Sequence, residues 1–235
     1  GRRNARLLSE SREQIDYLKI SEVGFQDVFP VFYKYYNDHP IGIATIENTS
    51  DFEATDISVS FYVKQYMDNP KQCANIERLA PGETVEVDLF SLFAENVLLI
   101  VESTISSAEI ILEYHADEKN RLQNNITSVR LFDRNATTWS DDNRAAAFVT
   151  AKDPGVMQFA KNVAGLIPGE SQVDRNLRVA MAMHTAIALF GMSYVPDPLR
   201  PYSETSQNES VIDYLQFPRH TFQYRAGDCD DLAIL

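Results

Sequence analysis

The chain has 235 residues, which is enough for two domains that each bury a core of their own. Hydrophobic residues make up 44% and charged residues 23%, and this ordinary balance excludes a globally disordered protein. The net charge of −13 argues against a nucleic-acid partner, because phosphate binding requires a basic surface, and an anionic membrane would also repel the chain. No apolar run approaches the length of a membrane span, so we expect no membrane insertion.

The N-terminal segment, residues 1–22, is predicted to contain a helix. A rough helical stripe runs among its charged residues and consists of Leu7, Leu8, Ile15 and Leu18. This helix either packs on the next domain or connects to a preceding one, and the sequence leaves both arrangements open.

Residues 23–135 are predicted to form an all-β domain. Ile57, Val59 and Phe61 alternate with polar residues, which indicates a strand with one buried face. Further strands are predicted at residues 28–36, 41–47, 85–89, 97–102, 109–115 and 128–132. Short strands separated by turns, without long helices, favour an antiparallel sandwich of two sheets. The pieces 46–49, 56–61 and 79–84 loosely resemble the immunoglobulin-like modules of bacterial envelope proteins.

Residues 136–235 are predicted to form a second, mainly helical domain. Ser140 is a candidate N-cap for a helix near residues 144–149. Asp153, followed by a proline, is a candidate N-cap for the next helix. A third helix is predicted over residues 173–190, with His184 on its apolar stripe.

The segment from Tyr194 to Asn208 contains three prolines and is predicted to be an extended loop. Long loops in domains are often functional. This loop either lines a substrate cleft that leads to Cys229 or is a plain surface connection.

The last residues of the chain predict a helix that begins at or beside Cys229. Asp228 can act as its N-cap, and Asp231, three residues later, can complete a reciprocal capping arrangement. Backbone N–H groups and the helix dipole at such a position favour the thiolate and lower the pKa of a cysteine. Arg225 either favours the thiolate further or pairs with Asp230 or Asp231, and we expect the pairing.

The stretch Arg225-Ala226-Gly227-Asp228-Cys229-Asp230-Asp231-Leu232-Ala233 resembles the active-site segment of the transglutaminase-like family of papain-like cysteine enzymes, especially its bacterial members. The resemblance implies that Cys229 is the nucleophile, that its backbone N–H contributes to an oxyanion hole, and that a histidine base and an aspartate follow later in the domain. No histidine follows Cys229 before Leu235. We therefore expect residues 136–235 to be the first half of an incomplete α+β domain, inactive by itself.

The function that these expectations imply is acyl transfer on a peptide or side-chain amide, with hydrolysis favoured over cross-linking. The partner is then a protein or peptide substrate, and the setting is the periplasm or cell envelope of a bacterium. Truncation would leave apolar side chains of residues 233–235 exposed, which predicts self-association. The rival hypothesis is a non-catalytic binding or scaffold protein of the cell envelope that uses its β-sandwich.

Other candidates for chemistry are few. His184 is predicted to be a core or interface residue, and His220, nine residues before Cys229, is a weak alternative as its base. Cys73 is predicted to be structural. Some bacterial relatives of the family bind calcium near the cysteine, and Asp228 supplies one of three nearby carboxylates. Their spacing is not that of a calcium loop, so we expect no metal and no cofactor.

Overall fold

The computed structural model describes residues 16–169, 174–196, 208 and 211–235. These residues fall into two units. The first unit comprises the described residues up to 28, together with 33–97 and 103–131, and the second comprises 29–32, 98–102 and the described residues from 132 onward.

The first unit contains seven strands in two antiparallel sheets. The strands are β1 (Leu18–Phe25), β2 (Gly42–Asn48), β3 (Ala54–Tyr62), β4 (Lys71–Leu79), β5 (Thr84–Leu89), β6 (Thr104–Ala116) and β7 (Lys119–Leu131). One sheet has the order β1-β2-β5 and the other has the order β4-β3-β6-β7. The longest pairing joins β6 to β7 over 13 residues of each strand. The expected β-rich fold is therefore confirmed.

The core of the first unit lies between the two sheets. Ile57, Val59 and Phe61 on β3 are fully buried, as their alternation with polar residues predicts. The rings of Phe25 on β1 and Phe61 lie 5.7 Å apart between centroids, so they bring the two sheets into contact. The side-chain amide of Asn48 on β2 donates to the carbonyl oxygen of Leu79 on β4 at 2.8 Å and ties one sheet to the other.

Three expectations for the N-terminal segment and the predicted all-β region are wrong. Leu18–Phe25 is a strand, whereas a helix was predicted to include Leu18, because its backbone pairs with β2 along its length. Residues 1–15 of that predicted helix lie outside the described residues. Two predicted strands are short 3-10 turns instead. The strand predicted at residues 28–36 is replaced by turns at Pro30–Phe32 and Tyr35–Asn37, and the strand predicted at residues 97–102 by a turn at Glu95–Leu99. Pro30 has no N–H for a β-ladder, which explains the first of these differences.

Strand β4, which the sequence did not predict, is an edge strand of the four-stranded sheet. Most of its residues are polar and only partly buried, so the period of two is weak. Segments 29–32 and 98–102 also differ from expectation, since they belong to the second unit rather than to the all-β region. The ring of Phe29 stacks on Phe132 with centroids 5.1 Å apart, and the Arg134 N–H donates to the carbonyl oxygen of Ile100.

The second unit is built from short elements. A 3-10 helix at Asp142–Phe148 is followed by α1 (Pro154–Gly165), α2 (Arg175–Leu189), α3 (Pro218–Tyr224) and α4 (Cys229–Ile234). Two strand pairs connect them: β8 (Ala136–Thr137) with β10 (Asp213–Tyr214), antiparallel, and β9 (Ser193–Tyr194) with β11 (Ala226–Gly227), parallel. No described helix combines the length and apolar character that a membrane crossing requires.

Two helix N-caps in the second unit, Asp153 and Ser140, were predicted from the sequence. Asp153 caps α1 and accepts from the Gly155 N–H at 2.8 Å, as predicted. Ser140 does not cap the 3-10 helix, because Asp141 occupies that position and accepts from the Asn143 N–H. His184 is exposed on α2, which has no buried residue, so of the two predicted roles, core or interface, the core role is wrong.

A small apolar core fixes the end of α4. Phe148, Leu215 and Ile234 are buried together, and Trp139 and Phe217 pack against them. The Trp139 indole N–H donates to the buried Asp213 carboxylate at 2.6 Å, so its polar group is satisfied. Because Ile234 belongs to α4, this core holds the helix that carries Cys229.

Candidate functional site

Cys229 is the first residue of α4, and Asp228 is the N-cap of that helix. One oxygen of the Asp228 carboxylate accepts from the N–H groups of Asp230 and Asp231, at 3.1 and 3.2 Å. The predicted helix start and cap are confirmed. The cysteine side chain is exposed.

Asp231 does not complete a reciprocal cap. Its buried carboxylate accepts from the backbone N–H of Gln216 at 2.7 Å and from the Gln216 side-chain amide at 2.5 Å. Burial raises the pKa of Asp231, and these two hydrogen bonds oppose that rise. The bonds fix the start of α4 to the segment that follows β10.

Gly227 is required by this arrangement. A β-carbon at this position would lie 2.6 Å from the β-carbon of Asp231, which is closer than side chains approach in folded proteins. The Gly-Asp-Cys-Asp-Asp sequence thus has a local steric and hydrogen-bonding explanation at Gly227, Asp228 and Asp231.

The electrostatic environment of Cys229 differs from expectation. Partial burial raises the pKa of its thiol, and the neighbouring Asp230 carboxylate raises the pKa further. The thiol donates to an Asp230 oxygen at 3.5 Å, and Asp228 adds a second negative charge nearby. The predicted lowering of the pKa is therefore wrong for this chain. Partial burial and then the two carboxylates raise the pKa by more than the backbone N–H at the helix start lowers it.

Arg225 and Tyr194 lie close to the segment that leads to Cys229. No described hydrogen bond or ion pair joins either side chain to the thiol. The guanidinium of Arg225 lies 4.9 Å from the centroid of the Phe190 ring. Within the described residues it pairs with neither Asp230 nor Asp231, so the favoured pairing is wrong. Tyr194 on β9 is the partner of Gly227 on β11, which brings the start of the predicted loop beside the motif. Residues 197–207 of that loop lie outside the described residues.

Helix α4 and its cap contribute residues to two clefts. The first has a volume of about 240 Å³, and its lining includes Val195, Tyr214, Gln216, Tyr224, Asp228 and Asp231. The second has a volume of about 210 Å³ and is mainly apolar, with a lining that includes Trp139, Ala145, Val149, Asp230, Ala233 and Ile234. Cys229 lines neither cleft, although its two neighbours in sequence each line one.

Neither candidate histidine is placed as a base for Cys229. His220 lies in α3, where it accepts from the Arg134 guanidinium at 3.2 Å, and burial together with two arginine charges lowers its pKa. His184 is exposed on α2. In the described part of the chain, the thiol has a hydrogen bond to Asp230 and none to a histidine.

The carboxylates around the cysteine do not match a calcium site. Ligand atoms of Asp228, Cys229 and Asp230 lie within 4.8 Å of one another, but one of them is a thiol and the Asp228 oxygen caps α4. Calcium takes six to eight oxygen ligands, and Asp231 is engaged by Gln216. Cys73 is half-buried and accepts from the Phe90 N–H at 3.3 Å, in keeping with a structural role.

Sequence reasoning missed Gln216, Tyr214 and Tyr224, which surround the cap of α4. Gln216 precedes Asp231 by 15 residues, and no periodic pattern connects the two. The aromatic richness of the approach to Cys229 was the available signal for the tyrosines.

Comparison with known proteins identifies no relative from sequence. No protein-family model and no curated protein matches the chain. Among solved structures, the chain shows a likeness to the solution structure of a late embryogenesis abundant (LEA) protein, with 10% identity and a TM-score of 0.33 over 55% of this chain and 79% of that one. At this TM-score the likeness supports no conclusion about fold or function.

Proposed function

We propose that the chain is part of a bacterial transglutaminase-like cysteine hydrolase or acyltransferase in which Cys229 is the nucleophile. On this proposal the first unit is an immunoglobulin-like sandwich, and the second is the first half of a papain-like catalytic domain. The observation that carries the proposal is an exposed cysteine at the first position of a capped helix, held by the Asp228 cap and by the Asp231–Gln216 bonds.

The proposed chemistry is attack by the Cys229 thiolate on the carbonyl carbon of a peptide or side-chain amide. A C–S bond forms, and the C–N bond breaks as the leaving amine takes a proton from a general acid. Water or a second amine then attacks the thioester and returns the thiol. The Cys229 backbone N–H, at a helix N-terminus, would donate to the developing oxyanion.

The resemblance to the transglutaminase-like family assigns the role of general base to a histidine that follows the cysteine in sequence. The raised pKa of the Cys229 thiol shows that its own surroundings do not favour the thiolate, so the proposed reaction depends on that base. A base that approaches the exposed side of the thiol would remove the proton and offset the effect of Asp230. The 235-residue chain is accordingly expected to be inactive by itself.

The full-length gene product tests this function. It is incubated with peptide substrates, and amide cleavage and amine exchange are followed by mass spectrometry, alongside the variants Cys229→Ala and Cys73→Ser. We expect the first variant to abolish turnover and the second to retain it. Turnover by the Cys229→Ala protein would refute the assignment of the nucleophile.

The raised thiol pKa also favours a second candidate, a binding or scaffold protein that lacks catalysis. In that case the full-length protein shows no turnover, and Cys229→Ala leaves its partner binding unchanged.

A further inference from the structure

The first cleft beside the α4 cap has an acidic and aromatic lining. Tyr214 and Tyr224 contribute two partly exposed rings, and Asp228 and Asp231 contribute two carboxylates. No lysine or arginine is among the described residues that line it. A cavity of about 240 Å³ with this composition is suited to one side chain rather than to a large cofactor.

Among the described residues, no ion pair offsets the negative charge of this cleft. In the described ranges, neither Asp228 nor Asp231 lies within salt-bridge distance of a basic side chain, and their hydrogen-bond donors are all neutral N–H groups. The side-chain oxygen of Gln216 is buried in the same wall without a hydrogen-bond partner.

Aromatic rings and unpaired carboxylates together form the usual environment of an organic cation. The faces of tyrosine rings attract ammonium and guanidinium groups, and a carboxylate supplies the matching charge. Val195 and the tyrosine rings also provide apolar surface for the methylene stem of a lysine or arginine side chain.

We propose that this cleft binds the positively charged side chain of a peptide, with Asp228 as its charge partner and the rings of Tyr214 and Tyr224 as its walls. Since Asp228 directly precedes the cysteine, a peptide held here lies beside the proposed nucleophile. The identification of that peptide as a substrate rests on the proposed function, whereas the binding of the cation does not.

Calorimetric titration of the intact chain tests the cleft without requiring catalysis. The probes are blocked tripeptides with lysine, arginine or norleucine at the central position, measured at low ionic strength. We expect the better of the two cationic peptides to bind at least about fivefold more tightly than the neutral one, and the comparison between them identifies the preferred cation. Equal binding of the norleucine peptide overturns the proposal.

Matched variants locate the binding. Asp228→Asn removes the charge but keeps a good N-cap, so we expect a fold close to native and loss of the cation preference. Asp230→Asn also removes one negative charge, but from a residue two positions later that lies outside this cleft. This variant should retain the cation preference. Circular dichroism verifies folding of both variants. A preference that survives Asp228→Asn, or that disappears equally in Asp230→Asn, contradicts the proposal.

A second pair tests the aromatic wall. Tyr224→Leu should weaken cation binding about threefold, while Tyr194→Leu, an exposed tyrosine outside the lining, should leave it unchanged. Equal effects of the two substitutions would overturn the assigned wall. Cation binding by a protein that shows no turnover refutes the enzyme proposal alone, and turnover without cation binding refutes the cleft proposal alone.

Discussion

Replacing Asp230 by asparagine should make the Cys229 thiol more reactive. The thiol sulfur lies 3.5 Å from an Asp230 oxygen, and this carboxylate raises the pKa of the thiol through its charge and its hydrogen bond. Because the raised pKa disfavours the thiolate at neutral pH, removal of the charge increases the thiolate fraction. The sign is opposite to that expected if Asp230 activated the cysteine.

The size of the effect follows from the separation. Two unit charges about 4 Å apart interact by about 1 kcal/mol in water, the relevant medium for an exposed thiol, and this corresponds to roughly a fivefold change in thiolate fraction. The intrinsic nucleophilicity of a thiolate falls with its pKa, with a coefficient of about 0.4–0.5. The net rate at neutral pH should therefore rise about two- to threefold.

The assay is the reaction of Cys229 with an uncharged dipyridyl disulfide, followed by absorbance in a Cys73→Ser background so that one thiol reports. Glu86→Gln, at an exposed residue of β5 in the other unit, changes the net charge equally and should not alter the rate. A rate that is unchanged or lower in Asp230→Asn refutes the electrostatic account of the thiol.

Three further substitutions test the second unit. Gly227→Ala should destabilise it by about 1–3 kcal/mol in urea unfolding, because the new β-carbon meets a side chain at 2.6 Å, whereas Gly165→Ala, with open space around it, should not. Burial and neighbouring arginines lower the pKa of His220 below its value in the unfolded chain, so acid favours the unfolded state. His220→Gln should therefore reduce the loss of stability as the pH falls below about 6.5. Thermal unfolding across about pH 5–8 measures this effect. Trp139→Phe should cost about 1–3 kcal/mol, because it leaves the buried Asp213 carboxylate without its indole donor, and circular dichroism during urea unfolding reports the loss; an unchanged midpoint would contradict that role.

The sequence predicted elements whose signals are local. The alternation around Val59 defines β3, and Asp153 and Asp228 were recognised as caps because a capping side chain bonds to backbone groups two or three residues away. Strand β4 was missed because an edge strand with polar residues on both faces has little periodicity. The 3-10 turn at Pro30–Phe32 was mistaken for a strand because Val31 and Phe32 have the β-branched and aromatic character of strand residues, although in the fold they pack against a small apolar cluster.

The site shows the same division between local and distant effects. The position of Cys229 at a helix start was predictable from its neighbours, but the sign of its pKa shift was not. That sign depends first on the partial burial of the thiol and then on which way each carboxylate points: Asp231 turns toward Gln216, while Asp230 stays beside the thiol. Sequence spacing singles out Asp231 as the capping partner, and only the fold shows that its carboxylate bonds to Gln216 instead.

The cysteine itself is the residue of the motif that structural roles explain least. Gly227 is required by close packing, Asp228 caps α4, and Asp231 anchors it, so each would be needed in a protein without catalysis. The Cys229 side chain is exposed and has one described hydrogen bond, a weak one at 3.5 Å that raises its pKa. A serine or alanine would suit the helix start equally well. Stability therefore does not require a thiol at this position, and a thiol is what the proposed nucleophile would need.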